Sequence, residues 1–79
     1  MKITKDYPGL KDIGWAYEFS GNLISDAEIE IDVGDKWLRV TGSLSAQTFI
    51  EAGSGIEAGE GIKAGSGIEA GWGIEAGEG

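Results

Sequence analysis

A six-residue pattern, Ile-x-Ala-Gly-x-Gly, repeats without interruption over the last part of the chain. Its five copies begin at Ile50, Ile56, Ile62, Ile68 and Ile74. A helix fits poorly, because six is not a helical period and two glycines per copy would cost a helix about 2 kcal/mol. Collagen requires glycine at every third position and abundant proline, whereas this chain has one proline. The repeat therefore predicts short strands.

Each copy has the alternation of a three-residue strand followed by a corner. Ile and Ala point to one side, and the Glu or Lys between them points to the other. The Gly-x-Gly that follows suits a sharp bend, since glycine reaches conformations with φ > 0. Stacked coils would join Ile and Ala into a continuous dry core, which predicts an all-β fold containing a hexapeptide-repeat β-solenoid, or β-helix. The residues between the two glycines are expected to face outward: Ser54, Glu60, Ser66, Trp72 and Glu78.

Two opposing arguments bear on the number of hexads in one coil. Three hexads per coil make a triangular prism, whose interior suits Ile and Ala, and packing favours this form. That register stacks Glu51 on Glu69 and Glu57 on Glu75, and like charges directly opposite are unfavourable. Two hexads per coil make a flatter solenoid and place Lys63 between Glu51 and Glu75. The sequence leaves both forms open.

The segment before the repeat alternates apolar and polar residues with period two, which is typical of strands. The pair Gly34-Asp35 suits a type II′ hairpin loop. Counting outward from that loop pairs Ile31 with Leu38 on one face and Glu30 with Arg39 on the other. A second loop at residues 20–22 extends the pairing. The pattern predicts a three-stranded antiparallel β-meander.

The length of 79 residues allows one domain, which we expect to span residues 1–79. Residues 1–12 are predicted to be an irregular lead-in, residues 13–37 a meander that caps the solenoid, and residues 38–79 the solenoid itself. The parity of the repeat extends back to Leu38, so the meander and the solenoid are expected to share one core. Three aromatic residues are predicted to lie in that core: Trp15, Tyr17 and Phe19.

The repeat pattern continues to the last residue, Gly79, without a recognisable cap. An open coil presents unpaired backbone groups that invite pairing with another chain. The sequence therefore predicts a homo-oligomer, either a dimer or a filament. The expected interface residues are Ile74, Ala76 and Gly77.

Composition excludes several kinds of chemistry. The chain has no cysteine and no histidine, which removes thiol chemistry, the commonest general base and the commonest metal ligands. Its formal net charge of -8 predicts repulsion from nucleic acid and anionic membranes and attraction to a basic partner protein. We expect a cytoplasmic protein that is not an enzyme, with no catalytic residues, no metal and no cofactor.

Several exposed side chains are candidates for partner binding. The acidic row Glu28, Glu30 and Asp32 is interpreted as a solvated strand face, because no cleft is implied. Acidic residues spaced regularly along a rigid rod could instead imitate a phosphate backbone and block a DNA-binding protein, and an exposed tryptophan is a plausible contact hot spot. A third hypothesis is carbohydrate binding through Trp37 and Trp72. The candidate partner-binding residues are Glu51, Glu57, Glu60, Glu69, Trp72 and Glu75.

The stretch Trp37-Leu-Arg-Val-Thr-Gly-Ser-Leu-Ser-Ala, followed by the Ile-x-Ala-Gly hexads, resembles bactofilin-like polymer-forming β-helix proteins. It also looks like the Gly-rich hexad proteins of bacteria and their phages. The resemblance covers about residues 37–79, and it implies end-to-end polymerisation without nucleotide. Small acidic phage proteins include anti-CRISPR inhibitors, some of which are DNA mimics, but no motif ties this chain to them. An acidic phage-type inhibitor is therefore the alternative hypothesis.

Overall fold

The computed structural model describes residues 1–77, which form twelve short strands and no helix. The prediction of an all-β solenoid is confirmed. The strands are β1 Lys2–Thr4, β2 Leu10–Asp12, β3 Ala16–Phe19, β4 Leu23–Ser25, β5 Ile29–Asp32, β6 Trp37–Val40, β7 Ser43–Ala46, β8 Phe49–Ala52, β9 Gly55–Ala58, β10 Gly61–Ala64, β11 Gly67–Ala70 and β12 Gly73–Ala76.

The strands form three sheets, which are the three faces of a triangular prism. Face 1 contains β2, β3, β6, β9 and β12; face 2 contains β4, β7 and β10; face 3 contains β1, β5, β8 and β11. From β3 onward the chain visits faces 1, 2 and 3 in turn, and each strand pairs in parallel with the strand three positions later. Because Ile50 aligns with Ile68 and Ile56 with Ile74, one coil contains three hexads.

The predicted antiparallel meander over residues 13–37 is wrong, because these residues already belong to the solenoid. Ile29 aligns with Ile50, and Leu38 aligns with both Tyr17 and Ile56, all in parallel. An alternating pattern shows which side chains face inward, but it cannot distinguish an adjacent antiparallel partner from a parallel partner one coil away. The predicted pairs Ile31–Leu38 and Glu30–Arg39 are therefore absent among the described residues.

The loop predicted to be a hairpin is a long corner of the solenoid, Val33 to Lys36. Aligned residues are 21 positions apart across it (Tyr17 to Leu38) and 18 apart in the next coil (Leu38 to Ile56), so this corner holds three additional residues. Gly34 has φ +75°, a conformation that glycine adopts at low cost, and Val33 fills the core. The pair Gly34-Asp35, which favours a turn, therefore lies in a long corner of the solenoid and not in a β-hairpin.

Residues 1–12 cap the first coil, in contrast to the predicted irregular lead-in. Strand β1 extends face 3 in parallel with β5, and β2 folds back antiparallel to β3 on face 1. The Tyr7 ring packs edge-on against Phe19, with ring centroids 6.2 Å apart. Lys36 Nζ lies 2.8 Å from Asp12 Oδ1, and this hydrogen bond lowers the pKa of Asp12 and raises the pKa of Lys36.

The core is a ladder of inward side chains that runs the length of the prism. Its fully buried members include Ile29, Leu38, Leu44, Ile50 and Ile56. Tyr17 and Phe19 are half-buried against this ladder, but Trp15 is 51% exposed, so its predicted core position is wrong. Trp15 lies in the loop between β2 and β3, outside the strand alternation on which that prediction depended.

The corner residues of the repeat face outward as predicted, with one exception. Glu60, Ser66 and Trp72 are exposed, and Glu78 lies outside the described residues. Ser54 is only 2% exposed, and its hydroxyl donates a 2.6 Å hydrogen bond to the Lys36 carbonyl oxygen. Ser54 sits on the long corner of the preceding coil, which covers it.

Glycine at the fourth position of the hexad is required by close approach between coils. A Cβ at Gly59, Gly65 or Gly71 would collide with the carbonyl oxygen of the coil beneath, contributed by Thr41, Gln47 and Gly53 respectively. These glycines do not have positive φ, so the predicted conformational reason does not apply to them. Gly53 has open space around its Cβ position, because the coil beneath it has the longer corner.

This difference predicts opposite results for two alanine substitutions at the same hexad position. Gly59→Ala should destabilise the fold by about 1–3 kcal/mol, since two coils must move apart. Gly53→Ala should be neutral or stabilising by about 0.5 kcal/mol, because alanine restricts the unfolded chain. Urea denaturation followed by circular dichroism measures both. Equal losses would show that close approach is not the constraint.

Candidate functional site

The outward side of face 1 carries a charge ladder that is interrupted by an arginine. Glu18, Arg39, Glu57 and Glu75 align on successive strands. The guanidinium of Arg39 bridges two of them, with Nη1 2.7 Å from Glu18 Oε2 and Nε 2.7 Å from Glu57 Oε1. All three bridged side chains are half-buried, which makes these ion pairs stronger than fully exposed ones. Glu75 continues the ladder beyond the arginine.

Face 3 carries an acidic ladder in which, within residues 1–77, no cation lies between the carboxylates. Glu30, Glu51 and Glu69 stack on successive strands, with neighbouring strands about 4.8 Å apart. The cation at the start of this column is Lys2, 3.6 Å from Glu30. The ladder borders a shallow groove whose lining also includes Asp32. Stacking has therefore concentrated like charges on this face.

Face 2 differs from the other two in carrying almost no charge. Its outward column is Ile24, Ser45 and Lys63. Ile24 is 66% exposed. Lys63 makes no ion pair with any residue in the range 1–77, and it lies on β10, one of the last three strands of the stack. A two-hexad coil would place Lys63 between two glutamates. In the structure Lys63 aligns with Ser45 instead.

The predicted partner-binding residues therefore do not form one surface. Glu51 and Glu69 lie on face 3, whereas Glu57 and Glu75 lie on face 1, where Arg39 neutralises Glu57. Glu60 and Trp72 are exposed on two different corners, one before β10 and one before β12.

Sequence reasoning missed the contribution of Glu30 to the face 3 ladder. It treated Glu30 as part of a solvated row along one strand. The signal that reveals this alignment is the offset of 21 positions between Glu30 and Glu51. It is hard to recognise because the additional residues of the Val33–Lys36 corner make this offset longer than the 18 positions of the later coils.

The predicted interface residues lie at the end of the prism that β10, β11 and β12 form, which we call the open end because no strand of residues 1–77 covers it. Ile74 is 43% exposed, and Ala76 and Gly77 are also exposed. The inward side chains Ile62 and Ile68 on β10 and β11 are half-buried, in contrast to the fully buried Leu44 and Ile50 with which they align one coil earlier. Within residues 1–77, no strand pairs with the outer edges of β10, β11 and β12. The structure thus brings the predicted interface residues together with four further apolar side chains at one end: Ile62, Ala64, Ile68 and Ala70.

The two tryptophans near this end are in different environments. The Trp37 ring is half-buried across the backbone of Gly55, where any larger residue would collide with it. Trp72 is 55% exposed on the last corner described, two residues before Ile74. Trp37 therefore has a packing role, and Trp72 is an exposed aromatic residue beside the open end.

No group of acidic residues in the range 1–77 has a geometry suited to holding a metal ion. The described part of the chain also contains no helix that is long and apolar enough to cross a membrane. Comparison of the chain with protein-family models, with curated proteins and with solved structures finds no match. The resemblance to bactofilins stays a prediction.

The acidic ladder of face 3 predicts that one charge reversal will stabilise the protein. Glu51→Lys replaces two like-charge neighbours, Glu30 and Glu69, by two opposite-charge pairs, and should raise the free energy of unfolding by about 1 kcal/mol. Glu60→Lys changes the net charge equally but lies on an exposed corner, and should have a smaller effect. Urea denaturation at low salt measures both. Equal stabilisation would show that net charge, not stacking, is responsible.

Proposed function

We propose that this protein is a non-catalytic interaction module whose open end binds the same end of a second copy. The observation that carries this proposal is the contrast between successive coils: Ile50 and Ile56 are fully buried, whereas Ile68 and Ile74, which align with them, are not. Burial of apolar area contributes about 25 cal/mol per Å². A further layer of strands on the end coil would therefore bury this exposed apolar area, and that burial would be favourable.

The backbone at this end supports the same conclusion. Strands β10, β11 and β12 each present one edge that no strand of residues 1–77 covers. Such edges are templates for pairing with another strand. A second copy can satisfy all three edges at once, because it carries three strands in the same triangular arrangement.

The opposite end of the prism favours a dimer over a filament. There, two of the three faces are capped: β1 covers the edge of β5 and β2 covers the edge of β3, whereas the outer edge of β4 on face 2 has no strand partner within residues 1–77. Tyr7 and Leu10 pack against the core cluster. Head-to-tail polymerisation needs both ends to be accessible, whereas two-fold pairing of identical ends gives a closed dimer. The capped first coil is compatible with a closed two-fold dimer.

The end face is small, which sets the expected affinity. Each side of the triangle is six residues long, about 20 Å at 3.3 Å per residue, so the end offers a few hundred Å². Standard interfaces bury about 800 Å² per partner. We expect a weak dimer with a Kd in the micromolar to millimolar range.

A charged residue at the open end should abolish association. Ile74→Glu places a carboxylate in the proposed apolar interface, and we expect it to be monomeric up to about 1 mM protein. Ile24→Glu makes the same chemical change on face 2 and should dimerise like the wild type. Sedimentation velocity across concentration measures both. A wild-type chain that stays monomeric at that concentration contradicts the proposal.

Face 3 favours a second function, the binding of a basic protein. Its ladder of Glu30, Glu51 and Glu69 is the one acidic column of the described residues without an arginine or lysine between its carboxylates. Parallel strands hold these charges at a fixed spacing on a rigid face, so binding costs little ordering entropy. Electrostatic attraction would steer a basic groove or helix to this face.

This second function is tested with an arginine-rich peptide by calorimetry. Glu51→Lys should weaken binding by about tenfold, because it interrupts the ladder at its centre. Glu60→Lys carries the same net charge and should weaken binding less. Equal losses in the two variants would show that the peptide responds to net charge and not to face 3.

A further inference from the structure

We infer that the dimer is organised by a two-fold axis at Glu69 of β11, with each Lys63 opposite the partner's Glu75. This inference rests on the proposed self-association and specifies its register. Three two-fold arrangements are possible, since any one of the three faces can meet itself while the other two exchange. The winding of the chain and the charges of the last coil distinguish among them.

The winding sets the heights of the three free edges. Each strand pairs with the strand three positions later, so three connections advance the chain by one interstrand spacing, about 4.8 Å. The edges of β10, β11 and β12 therefore lie at successive heights about 1.6 Å apart. A two-fold axis perpendicular to the long axis of the prism reverses the order of these three heights in the partner.

Only the middle strand can lie on the axis without leaving a gap. When β11 meets β11 of the second copy, β10 meets β12 on both other faces, and the separation is the same on all three faces. An axis at β10 or at β12 makes the separation differ between faces by about one full strand spacing. That difference would leave a face unpaired, with its backbone groups unsatisfied. Strand geometry therefore selects β11.

Side-chain parity and the symmetry of the prism then place Glu69 at the axis, because Glu69 lies between the two inward residues Ile68 and Ala70 at the middle of face 3. Antiparallel partners must keep inward residues opposite inward residues, because one position of slip would expose the core. Centring the pair on Glu69 puts Ile68 opposite the partner's Ala70, and Ile62 opposite the partner's Ala76. Each large side chain thus meets a small one, so the two coils fill the shared core without collision.

The charges of the last coil exclude the axis at β10, whereas an axis at β11 and an axis at β12 each pair Lys63 with a glutamate. The outward residues on β10, β11 and β12 are Lys63, Glu69 and Glu75. An axis at β10 would bring Lys63 against itself and glutamate against glutamate on both other faces. The axis at β11 makes two Lys63–Glu75 pairs and leaves one Glu69–Glu69 contact at the solvated rim. Lys63, which has no ion-pair partner among residues 1–77, is thereby neutralised.

A charge-swap cycle tests this register. Lys63→Glu should raise the Kd about tenfold, because both cross-dimer pairs become repulsive, and Glu75→Lys should do the same. The double variant Lys63→Glu/Glu75→Lys should return the Kd to near the wild-type value. Glu69→Gln should lower the Kd about twofold by removing the contact at the axis. Sedimentation equilibrium at low salt measures all five proteins.

The alternative registers give different results. An axis at β12 would pair Lys63 with the partner's Glu69, so rescue of Lys63→Glu by Glu69→Lys and not by Glu75→Lys would overturn the inference. An axis at β10 predicts no loss from Lys63→Glu. These outcomes all require a wild-type dimer. A monomeric wild type would contradict the proposed function, whereas a dimer without charge-swap rescue would contradict only the register.

Discussion

Parallel stacking of one coil on the next is the interaction on which the rest of this structure depends. A strand of four residues buries little by itself, and isolated strand pairs are marginal in water. Alignment at 18 positions places Ile on Ile and Ala on Ala through consecutive coils, so each layer completes the burial of the layer beneath it. The full burial of Ile50 and Ile56 follows from this alignment.

The same stacking dictates where the charges lie. Because every coil repeats the outward position, glutamates at the second position of the hexad become columns of glutamates about 4.8 Å apart on faces 1 and 3. Arg39 interrupts one column and bridges two of its carboxylates, whereas the column of Glu51 on face 3 has no cation between its glutamates. The stacking gain from the apolar ladder exceeds this repulsion, which is why the three-hexad coil forms despite its unfavourable charge register.

How far the fold could be predicted differed between the regular and the irregular parts of the chain. Over residues 50–77 the hexad gave the strands, the corners and the inward ladder, because a strict period leaves few alternatives. Upstream, the alternation correctly marked Leu38 and Val40 as inward but not their partners, since the 21-residue first coil conceals the period. Gly34 was assigned to a hairpin because local turn chemistry is the same in a corner and in a reversal.

The candidate site, like the fold, could be predicted from the sequence only in part. The sequence by itself determined the apolar strand positions and the acidity, since these depend on local alternation and composition. Only the tertiary structure decided which residues meet: Glu30 joins Glu51, Arg39 binds Glu18 and Glu57, and Trp15 leaves the core. These contacts link residues about 20 positions apart, and their register depends on the length of each corner. Corner length is fixed by packing between coils, not by the residues of the corner alone.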